Sequence, residues 1–248
     1  MTTFLKLTWV EMKLFVREPI TMVFTFALPV IFVLVMGGVF GNTPDPGGEI
    51  FRGVGALDYY VAAYIALVIA STGVVALPVH LTAYRERGVL RRLRASSISV
   101  WSIFGSQIAV SFVISLIGAV LVVIASILAY DVHLAESWLL FILAFIIGSV
   151  SFSFLGILLG ALFPTTRAAQ GIGLLLFFVM MMLSGAGPPA EVMTDAMQIV
   201  GDFTPLRYII LMLQDPWLGF GWDTKSMLIT FGVAAVAGLI SWRFFKWE

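Results

Sequence analysis

Apolar residues run through this chain in long blocks separated by short polar stretches. Ile20 to Phe40 carries no charge over 21 residues, enough at 1.5 Å per helical residue to cross the hydrocarbon of a bilayer. Equivalent blocks cover residues 59–81, 100–130, 138–163, 168–184 and 226–245, so the pattern predicts six membrane spans. The 100–130 block, at 31 residues, exceeds a perpendicular crossing and must tilt or project. Pro29 is expected to kink the first span, and Pro78 falls near the end of the second. Pro164 to Arg167 is too short a link for anything but antiparallel neighbours, and Gly41 to Asp58 reads as a loop.

Three segments break this pattern. Residues 3–18 are too charged to cross, but on a helix Lys6, Lys13 and Arg17 share one side while Phe4, Leu5, Trp9, Met12 and Phe15 cover much of the rest. This predicts a helix lying in the membrane interface, with a short soluble tail as the alternative. Residues 84–96 form a second amphipathic helix, with Val89, Leu90 and Leu93 on one side and Arg87, Arg91 and Arg94 on the other. It either rests on lipid or presses on a partner. Residues 188–214 follow a Gly-Pro start and contain a second breaker at Thr204-Pro205. The apolar piece Leu206 to Leu213 has only eight residues, too few to cross. Two short helices that dip in and return are expected here, the alternative being an amphipathic loop on the surface.

Composition agrees. The chain is 60% hydrophobic and 11% charged, with a mean hydropathy of +1.05. The fold class is therefore an all-α polytopic membrane protein of six transmembrane helices, with an N-terminal interfacial helix. Lys+Arg and Asp+Glu both number 14, so net charge says nothing about nucleic-acid or acidic partners, and no nucleic-acid partner is expected. Their distribution is more telling. Eleven basic residues fall on the face holding the N-terminal helix, residues 84–96, Arg167 and the C-terminal tail, while Arg52, Arg207 and Lys225 fall on the other. The positive-inside rule makes the first face, with both termini, cytoplasmic, and residues 188–214 extracellular. Trp242, Arg243, Lys246 and Trp247 then read as an interfacial anchor. Charges from Lys6 to Glu18 precede any long apolar run, which argues against a cleavable signal peptide.

Catalytic chemistry is not apparent. There is no cysteine. His80 and His133 lie at opposite membrane faces on this topology and cannot share a metal, and no serine sits in a G-x-S-x-G elbow. Ser149, Ser151 and Ser153 read as helix-packing residues. None of the four lysines follows a glycine, so there is no P-loop. The span interiors carry no Asp, Glu, Lys or Arg, which disfavours a proton-driven carrier more than a sodium-driven one. Energy must then come from elsewhere.

Residues 84–99, Tyr-Arg-Glu-Arg-Gly-Val-Leu-Arg-Arg-Leu-Arg-Ala-Ser-Ser-Ile-Ser, resemble the R-E-R-G-T-x-E-x-L-x-A-T-P-[LI]-S loop of the type-2 ATP-binding-cassette (ABC-2) transporter permeases. Arg85, Glu86, Arg87, Gly88, Leu93, Ala95 and Ser99 match; Val89, Arg91, Ser96 and Ser97 depart. Ser184-Gly185, Pro188, Pro189 and Thr204-Pro205-Leu206-Arg207-Tyr208 are similar to the family's S-G…P…N-P-x-x-Y segment, with Thr204 where Asn is usual. The resemblance implies a permease subunit of an exporter of drugs, lipids or glycolipids in the cytoplasmic membrane, paired with a second permease subunit. ATP and Mg would be bound by a separate cytoplasmic ABC ATPase subunit, leaving this chain without a cofactor and non-enzymatic. It also implies that residues 84–96 are the coupling helix, through Arg85, Glu86, Arg87, Gly88, Leu90, Arg91 and Arg94, flanked by the Lys6, Lys13, Arg17 helix. Pro188, Pro189, Pro205 and Tyr208 would belong to an extracellular re-entrant gate. The alternative reading is an ion-coupled secondary transporter.

Overall fold

The computed structural model describes residues 3–44, 50–96 and 98–244, without the side chains of residues 3, 94, 100 and 244. Lys246 and Trp247 of the expected C-terminal anchor lie outside the described residues. The described chain is helical, and six helices are long and apolar enough to span a membrane. In chain order they are α1 (Thr3–Phe15), α2 (Pro19–Phe40), α3 (Ala56–Glu86), α4 (Val89–Ala95), α5 (Val100–Tyr130), α6 (Trp138–Leu162), α7 (Thr166–Leu183), α8 (Asp195–Gly201), α9 (Pro205–Leu218) and α10 (Thr224–Phe244).

Helix α3 is the axis of the bundle. Every residue from Ala56 to Tyr84 is buried, against α2, α5, α6, α7 and α9. It therefore begins earlier and ends later than the 59–81 block predicts. Asp58, expected in a loop, lies in its first turn and is buried; its carboxylate accepts from the His133 backbone N–H (2.9 Å), and its own backbone N–H donates to Asn42 Oδ1 (3.0 Å). An internally satisfied carboxylate can sit at the end of an apolar block, which hydropathy alone does not register.

The kink expected at Pro29 and the turn before Pro78 take the same form. A π turn, Val23–Ala27, immediately precedes Leu28-Pro29, and another, Ser71–Ala76, precedes Leu77-Pro78. Proline supplies no N–H and its ring crowds the carbonyl four residues back, so widening the preceding turn lets the helix continue. The turns meet where Ser71 Oγ donates to Thr25 Oγ1 (3.0 Å), and Thr72 shares a 2.8 Å hydrogen bond with Ser115 of α5.

In lipid, close packing rather than the hydrophobic effect holds helices together. The tightest approach joins α3 to α6 at Gly73 and Gly156, where a Cβ on Gly156 would stand 2.1 Å from the Gly73 carbonyl oxygen. Gly156→Ala is expected to destabilise the chain by about 2 kcal/mol, since a backbone and not a flexible side chain must give way. Thermal unfolding in detergent, compared with Gly171→Ala in open space, measures this; equal melting temperatures would refute it.

Candidate coupling surface and opposite gate

At one end of the bundle, the segment predicted as a single helix over 84–96 is divided. Tyr84, Arg85 and Glu86 complete α3, Arg87 and Gly88 form a turn, and α4 covers only Val89–Ala95. Gly88 sits at φ +65°, the left-handed conformation that ends helices and that a side chain resists.

Half-buried Arg85 and exposed Glu86 both reach the α6–α7 link. The Arg85 guanidinium donates to the carbonyls of Gly160 (3.3 Å), Ala161 (3.4 Å) and Phe163, groups left unpaired at the end of α6. The Glu86 carboxylate accepts from the Thr166 N–H (3.0 Å) and hydroxyl (2.5 Å) at the start of α7. Cation at a helix C-terminus and anion at an N-terminus also suit the two helix dipoles. One dipeptide thus clamps two helix ends, with side chains that the family motif assigns to a partner.

Helix α4 is anchored by Leu90, 1% exposed, in a cluster with Tyr84, Ile103, Leu7, Leu14 and Leu93. Arg87, Arg91 and Arg92 lie on the exposed side, with the Arg92 guanidinium donating to the Arg87 carbonyl (3.1 Å). Arg94's side chain lies outside the described residues. Leu7 and Leu14 bring α1 into the same cluster. Lys6 and Lys13 are exposed on α1, Lys13 over the Trp9 ring at 5.1 Å, whereas exposed Arg17 falls in the turn after the helix.

One further residue belongs to this end of the bundle. Glu11 is 2% exposed, between α1, α3 and α5. Burial pushes its carboxyl up to about 7, against the opposing pull of Tyr84 and Gln107. Its signal was its register: Leu7, Glu11, Leu14 and Phe15 occupy one helical stripe, a charge inside an apolar face.

The opposite end is closed by α8 and α9, which bend by 92° at Thr204-Pro205. Pro205 occupies the first turn of α9, which runs on to Leu218, beyond the expected Leu206 to Leu213. The Tyr208 hydroxyl donates to the Asp202 carbonyl (2.7 Å) and Arg207 pairs with the Asp202 carboxylate (3.1 Å) across the bend. Pro188 and buried Pro189 lie on the connection from α7, held to α3 where the Tyr60 hydroxyl donates to the Gly187 carbonyl (2.8 Å) and the Ala190 N–H donates to the Tyr59 hydroxyl (3.4 Å). Buried Gln214 donates to the Tyr59 carbonyl (3.0 Å). Tyr59, Tyr60 and Gln214 were not singled out from the sequence, because their partners are more than a hundred residues away.

His133, in the α5–α6 link at this end, is held by Asp58 through Nδ1 (2.9 Å), which raises its pKa. His80 lies at the other end of α3, and among the described residues no group of three or more His, Cys, Asp or Glu could hold a metal ion.

Among known proteins, the ABC-2 type transporter family model matches residues 2–216. A Porphyra purpurea protein named "Putative transport permease ycf38" is 26% identical over 229 residues, spanning 91% of this chain and 78% of that one. With six candidate spans and a family match over most of its length, the chain belongs to the ABC-2 type transporter family.

Proposed function

We propose that this chain is the permease subunit of an exporter that moves a hydrophobic or amphipathic cargo across the cytoplasmic membrane. The family implies association with an ABC ATPase subunit; in this reading α4 sits in a groove of that subunit, on the cytoplasmic side with both termini, and a second permease copy completes the pathway. The observation that carries it is the construction of α4: Leu90 seated in the bundle, Arg87 and Arg91 outside, and the adjacent Arg85-Glu86 pair tied to α6 and α7. A push on the arginine side is therefore delivered to three spanning helices at once. At the opposite end, α8, α9 and the residues around Pro188, Pro189, Pro205 and Tyr208 act as the outer gate.

The cargo class is supported by a groove between α5, α6 and α10 of about 870 Å³. Phe104, Phe154 and Phe231 line it, the stacked Trp101 and Trp242 rings lie at one end, and Ser151 and Thr230 are its hydroxyl-bearing residues. Such a surface suits an acyl chain or an apolar drug body.

The purified chain alone is expected to hydrolyse no ATP, and vesicles containing it together with its ATPase are expected to export lipid-like or drug-like cargo only with ATP present. Transport by the chain alone under an ion gradient would overturn the reading in favour of a secondary carrier.

A further inference from the structure

Beneath α1 lies a cavity of about 10 Å³, room for one water molecule, lined by Glu11, His80, Gln107 and Ser111 among others. Three buried polar atoms in its walls, Glu11 Oε1, His80 Nε2 and Gln107 Nε2, have no hydrogen-bond partner. Glu11 is the carboxylate of α1 that is held inside the bundle. A charged carboxylate buried in such a place is costly, and protonation removes that cost. The other ionisable groups facing this region are Glu18 on the α1–α2 link, whose Oε1 is 3.7 Å from His80 Nδ1, Tyr84 on α3 beside Glu11, and Arg87, whose charge reaches His80 and Tyr84. Helix α5 contributes the neutral Gln107 and Ser111 to the lining.

We propose that Glu11 is a proton-binding site that fastens α1 to α3 and α5 when protonated and loosens it when ionised. Tyr84 touches both Glu11 and the Leu90 cluster, to which Leu7 and Leu14 of α1 also belong, so the state of this joint is transmitted to α4. Its consequence for transport rests on α4 being the coupling helix; the proton site itself does not.

The sign follows from linkage. Docking raises the Glu11 pKa from 4.5 to about 7, so the docked form binds the extra proton. Its advantage is full below pH 4.5, falls as pH rises through 7, and is gone above that. Between pH 5.5 and 8.5 the docked-to-undocked ratio is expected to fall about 30-fold.

The chain has no cysteine, so spin labels placed by Val10→Cys on α1 and Val113→Cys on α5, both on exposed side chains, report their separation in nanodiscs without background. Wild type is expected to show one short distance at pH 5.5 and an added longer population at pH 8.5, while Glu11→Gln, isosteric and neutral, keeps the short distance at both. An unchanged wild-type distribution overturns the proposal, as does a pH response that survives in Glu11→Gln or vanishes in Glu18→Gln instead. In the complex with the ATPase subunit, cargo-stimulated hydrolysis should lose its pH response in Glu11→Gln. If the distances shift with pH but hydrolysis does not, the proton site stands and the coupling role of α4 is what fails.

Discussion

Reversing charge at Arg87 and Arg91 together, R87E/R91E, is expected to cut export and cargo-stimulated ATP hydrolysis by about 100-fold while the chain folds normally. Both side chains are on the exposed side of the turn and of α4, and the anchoring of α4 comes from Leu90 on the other side. Surface substitutions away from packing typically change stability by within about 0.5 kcal/mol. If this face docks on the ATPase subunit as proposed, two reversed charges replace attraction by repulsion, and like-charge contacts cost several kcal/mol. Pull-down of the ATPase subunit and hydrolysis assays, alongside thermal unfolding of the isolated permease, separate the two effects. Normal coupling in a normally folded double variant would sink the assignment of this face.

Arg85→Ala should behave in the opposite manner, weakening the fold before it weakens any contact with a partner. It strips a charged donor from three carbonyls at the end of α6; a hydrogen bond to a charged group contributes about 1.5–3 kcal/mol net, and these carbonyls share one half-buried guanidinium. A loss of about 3 kcal/mol is expected, read as a lower melting temperature of the isolated chain. Glu86→Ala should lose less, because its partner is the exposed start of α7, where water replaces the carboxylate. Arg85→Lys should recover part of the loss, since an ammonium cannot reproduce the fork of the guanidinium. If Arg85→Ala leaves the melting temperature unchanged yet abolishes ATPase binding, the clamp is wrong and Arg85 belongs with Arg87.

The spanning helices were legible in the sequence because a bilayer demands one thing of a crossing segment, continuous apolarity over its thickness, and that is a local property. The bend at Thr204-Pro205 and the short amphipathic helices were legible for a similar reason: proline position and 3.6-residue periodicity act within a few residues. The direction of individual polar side chains was not. Arg85, Glu86 and Arg87 are consecutive, and nothing within the motif distinguishes the two that turn toward α6 and α7 from the one that stays outside. Their partners lie 75 to 80 residues further on. Glu11 likewise reads locally as one more charge of an interfacial helix, and only its place in the apolar stripe marks it out.

By itself, then, the sequence determined which segments cross a membrane, which lie beside it, and which family they resemble, since each follows from local hydropathy, periodicity or motif spacing. Only the tertiary structure decided that α3 is the buried axis, that the Arg-Glu pair is a clamp, that Asp58 and Glu11 are interior groups, and that a groove opens between α5, α6 and α10. Those depend on which helices become neighbours, and in lipid that choice is made by close packing and by finding partners for polar groups, both of which join residues far apart in the chain.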